Sequence, residues 1–507
     1  MTSVQTAQSR NPYLEDFLAP VDAEVTATDL PVTGHIPDHL HGRYLRNGPN
    51  PAAEVNPATY HWFSGDGMVH GVALQDGQAR WYRNRWVRSL PVCAALGEPR
   101  PARLDPRAGL LALGANTNVL AHAGRTLALV EGGVANYELT DDLDTVGTWD
   151  FRGTLYGGYT AHPHRDPHTG ELHAVSYSFA RGRTVQYSVI GVDGRARKTV
   201  DIAVSGSPMM HDFSLTDKYV VLYDLPVTFD TAQMLPANLP RWLSRPAQLV
   251  VQSMVGRVRM PSPIAAMVNR NPNPSDRMPY AWNPNYPARI GVMPREGSGK
   301  DVRWFDIEPC YVYHPLNAYS EQRGEAEVLV LDVVRYDRMF DRDRRGPGES
   351  RPMLDRWTIN LSTGAVSTER RDDRPQEFPR INEALTGARH RFGYAVGIGD
   401  GFVDSYGNQA APMSTALYKH DFAAGASEVA VLDPDLVLGE MSFVPNPAPD
   451  GRTAAEDDGI LMGYGYHRGR DEGQLVMLDA QTLESVATVH LPQRVPMGFH
   501  GNWAPVA

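Results

Sequence analysis

VALQDGQARWYR, residues 72–83, decides the fold class. β-favouring residues flank a central Asp76-Gly77 pair, which readily supplies the left-handed backbone positions of a two-residue hairpin turn. The same grammar returns in YSVIGVDGRARKTVDI (187–202) around Asp193-Gly194 and in WTINLSTGAVSTE (357–369) around Thr363-Gly364. LTDKYVVLYDLP (215–226) and QLVMLDAQTLESVATVHLP (474–492) read the same way. Long amphipathic helices are nearly absent. The 46 Gly and 40 Pro fall as turns, because no Gly/Ser-rich or charge-blocked break divides the 507 residues. The expectation is an all-β protein of many short strands, one domain over residues 1–507. A four-stranded propeller blade takes about 40–45 residues, so six or seven blades with long loops fit, although no repeat in the text fixes the number.

Composition removes whole classes of function. At 42% hydrophobic and 21% charged residues the chain can bury a large core, so disorder is excluded. Its net charge of −11 lacks the basic footprint of a protein that reads nucleic-acid backbones. Cys93 and Cys310 are the only cysteines, which rules out a disulfide framework and a thiolate metal cage and fits a reducing compartment. MTSVQTAQSRNPYLEDFLAP has no basic start leading into an apolar run, and no stretch reaches the roughly 18 apolar residues of a membrane span. A cytoplasmic protein is expected, with residues 1–10 flexible.

Residues 229–269 break the β pattern. There Trp242, Leu243, Leu249, Val250, Val251, Met254 and Val255 stand among Arg241, Arg245, Arg257 and Arg259. Apolar residues at spacings of three and four with interleaved Arg suit a helix capping the sheet core, or an interfacial helix that dips into a bilayer edge.

Histidine carries the chemistry. AHPHRDPHTGELH holds His162, His164, His168 and His173, but DPHTG is turn sequence, which is expected to leave His164 and His168 on a loop. Four widely separated histidines stand out instead: His162 in YTAHP, His211 in SPMMHDF, His314 in YVYHPLNAY and His500 in VPMGFHGNWAP. Each lies at the edge of a β run beside apolar or aromatic neighbours. A closed barrel or propeller brings such distant positions to one axis. Four neutral imidazoles suit iron, copper, nickel or zinc and leave the ion's charge uncancelled, which favours a small ligand such as dioxygen at an open position. Carboxylates commonly orient metal-bound histidines, and Glu131 (LALVEGG), Glu377 (QEFPRIN) and Glu440 (LGEMSFVP) sit where a solvated acid is out of place. No GxSxG or HExxH occurs.

Taken in order, GRYLRNGPNP (42–51), HWFSGDGMVHG (61–71), the four histidine contexts, EFPRIN, GEMSFVP and GFHGNWAP resemble the carotenoid cleavage oxygenases, actinobacterial ones above all, from about Asn11 to Pro505. The resemblance implies a seven-bladed β-propeller with Fe(2+) on its axis, held by His162, His211, His314 and His500 under a dome of loops. It pairs Glu131 with His211, Glu377 with His314 and Glu440 with His500, and leaves His162 without a carboxylate. It makes Thr117 a shield over one coordination position and Phe63, Val130, Tyr313, Phe378 and Trp503 the lining of a substrate tunnel. It also turns 229–269 into a dome insertion at the tunnel mouth, where Trp242, Leu243, Val250, Val251 and Met254 make a transient, peripheral membrane contact.

The implied reaction is scission of a C=C bond of a carotenoid or apocarotenoid by O2 to two carbonyl products, with no nucleic-acid or protein partner. Stilbene cleavage is the alternative within the family. Stilbene-cleaving relatives carry a lysine before the first of these glutamates, and this chain has Val130 there. A metal-free carotenoid-binding propeller is the alternative outside catalysis.

Overall fold

The computed structural model describes residues 11–111, 113–230, 279–344, 346–398, 415–448 and 454–506. The hairpins expected from sequence all form. Gly67–Gln75 pairs with Gln78–Trp86, and Asp76 and Gly77 both take positive φ (52° and 68°) at the turn. That is the twist-matched geometry of a two-residue hairpin.

Seven antiparallel sheets are arranged as the blades of a β-propeller. Blade 1 contains Gly42–Pro49, Gly67–Gln75 and Gln78–Trp86, and blade 2 runs from Asn118–His122 to Thr145–Trp149. Blade 3 runs from His164–Arg165 to Ala196–Ala203, and blade 4 from Phe213–Leu215 to Arg303–Asp306. Blade 5 runs from Tyr311–Arg323 to Val366–Asp372, blade 6 from Gln376–Arg380 to Ala426–Val431, and blade 7 from Leu436–Leu438 to Ser485–His490.

Both ends of the chain close the ring. Gly501–Pro505 adds to blade 1 beside Gly42–Pro49, and Val32–Gly34 adds to blade 7 beside Ser485–His490. Closure of this kind protects strands that would otherwise stand as open edges. The number of blades escapes the sequence because each blade is built from different residues, so no period survives in the text.

A two-stranded ribbon, Val227–Phe229 with Tyr280–Trp282, leaves blade 4 on either side of the undescribed residues 231–278. Phe229 stacks on Phe179 at 4.8 Å between ring centroids. The expected flexible start, 1–10, lies outside the described residues. So does nearly all of the expected dome insertion, with Trp242, Leu243, Val250, Val251 and Met254. Among the described residues no helix is long and apolar enough to cross a membrane.

Candidate metal centre

Inner strands of blades 2 to 6, Glu440 of blade 7 and Gly501–Pro505, an end strand of the blade 1 sheet, surround an axial cavity of about 170 Å³. Each blade brings one residue of interest into or beside a strand near the axis: His500, Thr117, His162, His211, His314, Glu377 and Glu440, for blades 1 to 7 in turn. Convergence of residues hundreds of positions apart is thus a consequence of ring closure.

Local backbone irregularities aim several of them. The pairing register of Tyr311–Arg323 shifts on both sides of Pro315, next to His314. Gln376–Arg380 has another shift between Glu377 and Arg380, where Phe378 takes a φ of +54°. Bulges of this sort bend a strand and re-aim a side chain.

One nitrogen from each of His162, His211, His314 and His500 lies within 4.8 Å of the others, and all four residues are buried. The Nε2 atoms of His211 and His314 are 3.3 Å apart. Two imidazole nitrogens each about 2.1 Å from one ion stand roughly 3 Å apart when they subtend a right angle. His162 Nε2 is buried with no hydrogen-bond partner. An orphaned nitrogen facing three other imidazoles is costly to bury unless a cation joins them, so the donor set fits a divalent metal.

Three of the histidines are oriented from behind by glutamate. Glu131 lies 2.9 Å from His211 Nδ1, Glu377 Oε2 2.6 Å from His314 Nδ1, and Glu440 Oε1 2.9 Å from His500 Nδ1. In each case the ring N–H donates to the carboxylate, which leaves Nε2 free as a donor to metal. The pairings are those the resemblance implies, and His162 has no carboxylate at hydrogen-bond distance among the described residues.

The electrostatics follow from these contacts. Burial, then the neighbouring imidazoles, holds His162 well below the usual histidine range, so it is neutral and able to ligate. Burial likewise lowers His500, against the pull of Glu440. At His314 burial is outweighed by Glu377 and the pKa rises. Burial acts to raise the Glu440 carboxyl, but Arg380 and His500 more than offset it and keep it ionised.

Arg380 is the functional residue that sequence reasoning missed. Its guanidinium holds both oxygens of Glu440 (2.9 and 3.1 Å), the Gly501 carbonyl (2.8 Å) and Glu383 (2.8 Å). Gly501 N–H also donates to Glu440 at 2.8 Å, so one network fixes His500. Tyr336 plays a similar part by donating to Glu377 Oε1 at 2.9 Å. Asn47, within GRYLRNGPNP, clamps the same region: its N–H meets the His500 carbonyl and its side chain the carbonyls of Ala115 and Asn118.

Thr117 is buried, its hydroxyl donates to Asn116 Oδ1 at 2.9 Å, and its carbonyl accepts from His500 N–H. Of the five expected tunnel residues the structure gathers three at the centre. Tyr313 packs edge-on against His211 at 4.9 Å and against Phe63 at 6.1 Å, while Phe378 stacks on His314 at 5.7 Å. Val130 sits in the apolar core shared by blades 1 and 2. Trp503 lines the axial cavity and packs against the core between blades 1 and 7. One expectation is corrected: His164 is not on a loop but in a two-residue strand paired with His173, because the Asp166–Gly170 turn folds that segment back on itself. His168 is exposed in the turn itself.

The family model described as RPE65, retinal pigment epithelial membrane protein, matches residues 18–505. The chain is 75% identical to the carotenoid cleavage oxygenase of Mycobacterium tuberculosis over the full length of both. The chain belongs to the carotenoid oxygenase family. It is an enzyme of that family. The carotenoid 9,10(9',10')-cleavage dioxygenase 1 of Arabidopsis thaliana is 30% identical over 96% of this chain and 89% of its own. The crystal structure of the Pseudomonas brassicacearum lignostilbene dioxygenase has the same fold, with a TM-score of 0.77 at 24% identity over 98% and 99% of the two chains. In this oxygenase the four-histidine centre is the only site where buried imidazoles from four blades meet, among the described residues.

Proposed function

We propose that this oxygenase is a non-haem Fe(2+) dioxygenase that cleaves a C=C double bond of a carotenoid or apocarotenoid to two carbonyl products. The observation that carries the reading is the buried cluster of His162, His211, His314 and His500 with three of its rings tied to glutamates. These four side chains are the ligands, and Glu131, Glu377 and Glu440 set their orientation and basicity. Bound ferrous iron supplies the reductive activation of dioxygen.

The chain's own residues do the rest by position. Phe63, Tyr313 and Phe378 form an aromatic wall beside the ligand rings, against which a polyene packs. The double bonds of a polyene are chemically alike, so holding one of them within reach of the activated oxygen is what selects it. Val130 and Trp503 pack into neighbouring cores and not into this wall, and Thr117 would screen one position of the bound metal. No proton-transferring side chain is needed. Val130, where stilbene-cleaving relatives have lysine, favours an apolar substrate over a phenol.

Incubating the Fe(2+)-loaded protein with C40 carotenoids, apocarotenals and resveratrol, and reading product masses, tests the assignment. Carbonyl fragments from the polyenes alone are expected; efficient cleavage of resveratrol alone would hand the assignment to stilbenes.

Glu131→Gln, Glu377→Gln and Glu440→Gln each keep a hydrogen-bond acceptor but lose the charge behind the imidazole. Each is expected to weaken metal affinity or activity about 10–100-fold, measured by competition with a chelator and by initial rates. Parental values in all three would remove the glutamates from the account.

The substrate dissolves in membranes, so a cytoplasmic enzyme must dock there. Burying a Leu, Val or Met side chain in a bilayer edge contributes roughly 1.5–3 kcal/mol, so Trp242, Leu243, Val250, Val251 and Met254 suffice for reversible contact. The triple change Trp242→Ser, Leu243→Ser, Val250→Ser is expected to reduce co-sedimentation with liposomes and slow cleavage of liposome-embedded carotenoid. A detergent-dispersed apocarotenal should be turned over nearly as before. Equal losses on both substrates would mark the segment as structural.

A further inference from the structure

We propose that Asp212 is a fourth orienting carboxylate, which positions His162 from the axial cavity through one bridging water and is itself held in place by His164. The inference rests on the metal-centre reading given above and deepens it. Three of the four rings have a glutamate directly behind them, while His162 Nδ1 makes no hydrogen bond among the described residues. Its closest acidic neighbour is Asp212 Oδ2, at 3.7 Å, and both side chains are about 94% buried.

The distance is too long for a direct hydrogen bond, and polar contacts beyond 3.5 Å are commonly closed by a water. Room for one exists. His162, His164 and Asp212 all line the axial cavity of about 170 Å³. A buried water needs such space and two or more polar partners, and the His162 N–H and the Asp212 carboxylate provide them.

Asp212 does not swing freely. Its Oδ1 accepts from His164 Nε2–H at 2.8 Å and from the N–H of Phe213 at 2.7 Å. The His164 ring is in turn fixed edge-on against Phe213, 4.8 Å between centroids. With Oδ1 fully engaged, Oδ2 is the oxygen left to face His162. The HPH of AHPHRDP and the Asp of MMHDF thus act together across 48 residues, with His164 as a positioning residue and not a ligand. His162 thus gains a support different from the direct glutamate contacts of the other three rings.

The test compares the parent, Asp212→Asn, His164→Ala and His164→Gln as full-length proteins. Co(II) is the probe, titrated against a competing chelator while the absorption bands of bound Co(II) are recorded, with melting of the metal-free protein as the check on folding. Asp212→Asn is expected to weaken Co(II) binding about tenfold and to shift the bands, with melting unchanged. Parental affinity and spectrum in Asp212→Asn would overturn the proposal. Should that variant fail to fold, the His164 pair decides. His164→Gln keeps a donor to Asp212 and is expected to bind nearly as the parent does, whereas His164→Ala binds more weakly; equal affinity in the two overturns the proposal. A parent protein that binds no Co(II) would instead overturn the metal-centre reading itself, and this proposal with it.

Discussion

His500→Ala is expected to abolish both bound iron and carotenoid turnover, and the same is expected of His162→Ala, His211→Ala and His314→Ala. Each ring supplies one of four neutral donors gathered within 4.8 Å, and losing any one leaves an incomplete set that the closed inner strands cannot repair. His168→Ala is the matched control. His168 is exposed in the Asp166–Gly170 turn, where its backbone N–H meets Asp166 and its ring is remote from the cluster, so both properties are retained. Iron analysis of purified variants with product quantification checks this. A His500→Ala protein with full iron and full rate would remove the cluster from the chemistry.

Arg380→Met is the substitution with the largest expected effect on stability. Glu440 is then left ionised and buried with only His500 and the Gly501 N–H beside it. Removing one partner of a buried ion pair costs about 3–5 kcal/mol, because the remaining charge is uncompensated. Arg380→Lys restores charge but not the two-pronged grip on the carboxylate, and recovers only part of the loss. The double change Arg380→Met, Glu440→Leu removes both charges. It is expected to regain much of the stability in denaturant titrations while metal affinity stays low, because His500 has lost its carboxylate. If Arg380→Met alone were as stable as the parent, the network around His500 would be peripheral.

What could be read from the chain follows the range of the interactions involved. The hairpin at Asp76-Gly77 was legible because a tight turn states its backbone requirement in two adjacent residues. The closure of blades 1 and 7 by opposite ends of the chain was not, since strand pairing over more than 450 residues leaves no local mark. The histidines drew attention singly by their setting at the ends of β runs, and family order joined them into one centre. Arg380 stands within EFPRIN, but its part is hidden there because its partner Glu440 lies 60 residues on. For His164 the turn that follows dominates the text and points to a loop, whereas pairing with His173 extends it. Only resemblance groups Val130 and Trp503 with Phe63, Tyr313 and Phe378. Their packing depends on neighbours in blades 1, 2 and 7 that no motif encodes.

If His162, His211, His314 and His500 hold one ferrous ion that supplies dioxygen activation, each fragment of a cleaved polyene should carry one oxygen atom from dioxygen. The most direct test is a single turnover under isotopically labelled dioxygen with the iron-loaded parent, the products being trapped at once as oximes or alcohols before exchange with water. The expected result is one labelled oxygen in each fragment and turnover proportional to iron content. Label in only one fragment under conditions that prevent exchange, or equal turnover by metal-free protein, would contradict it.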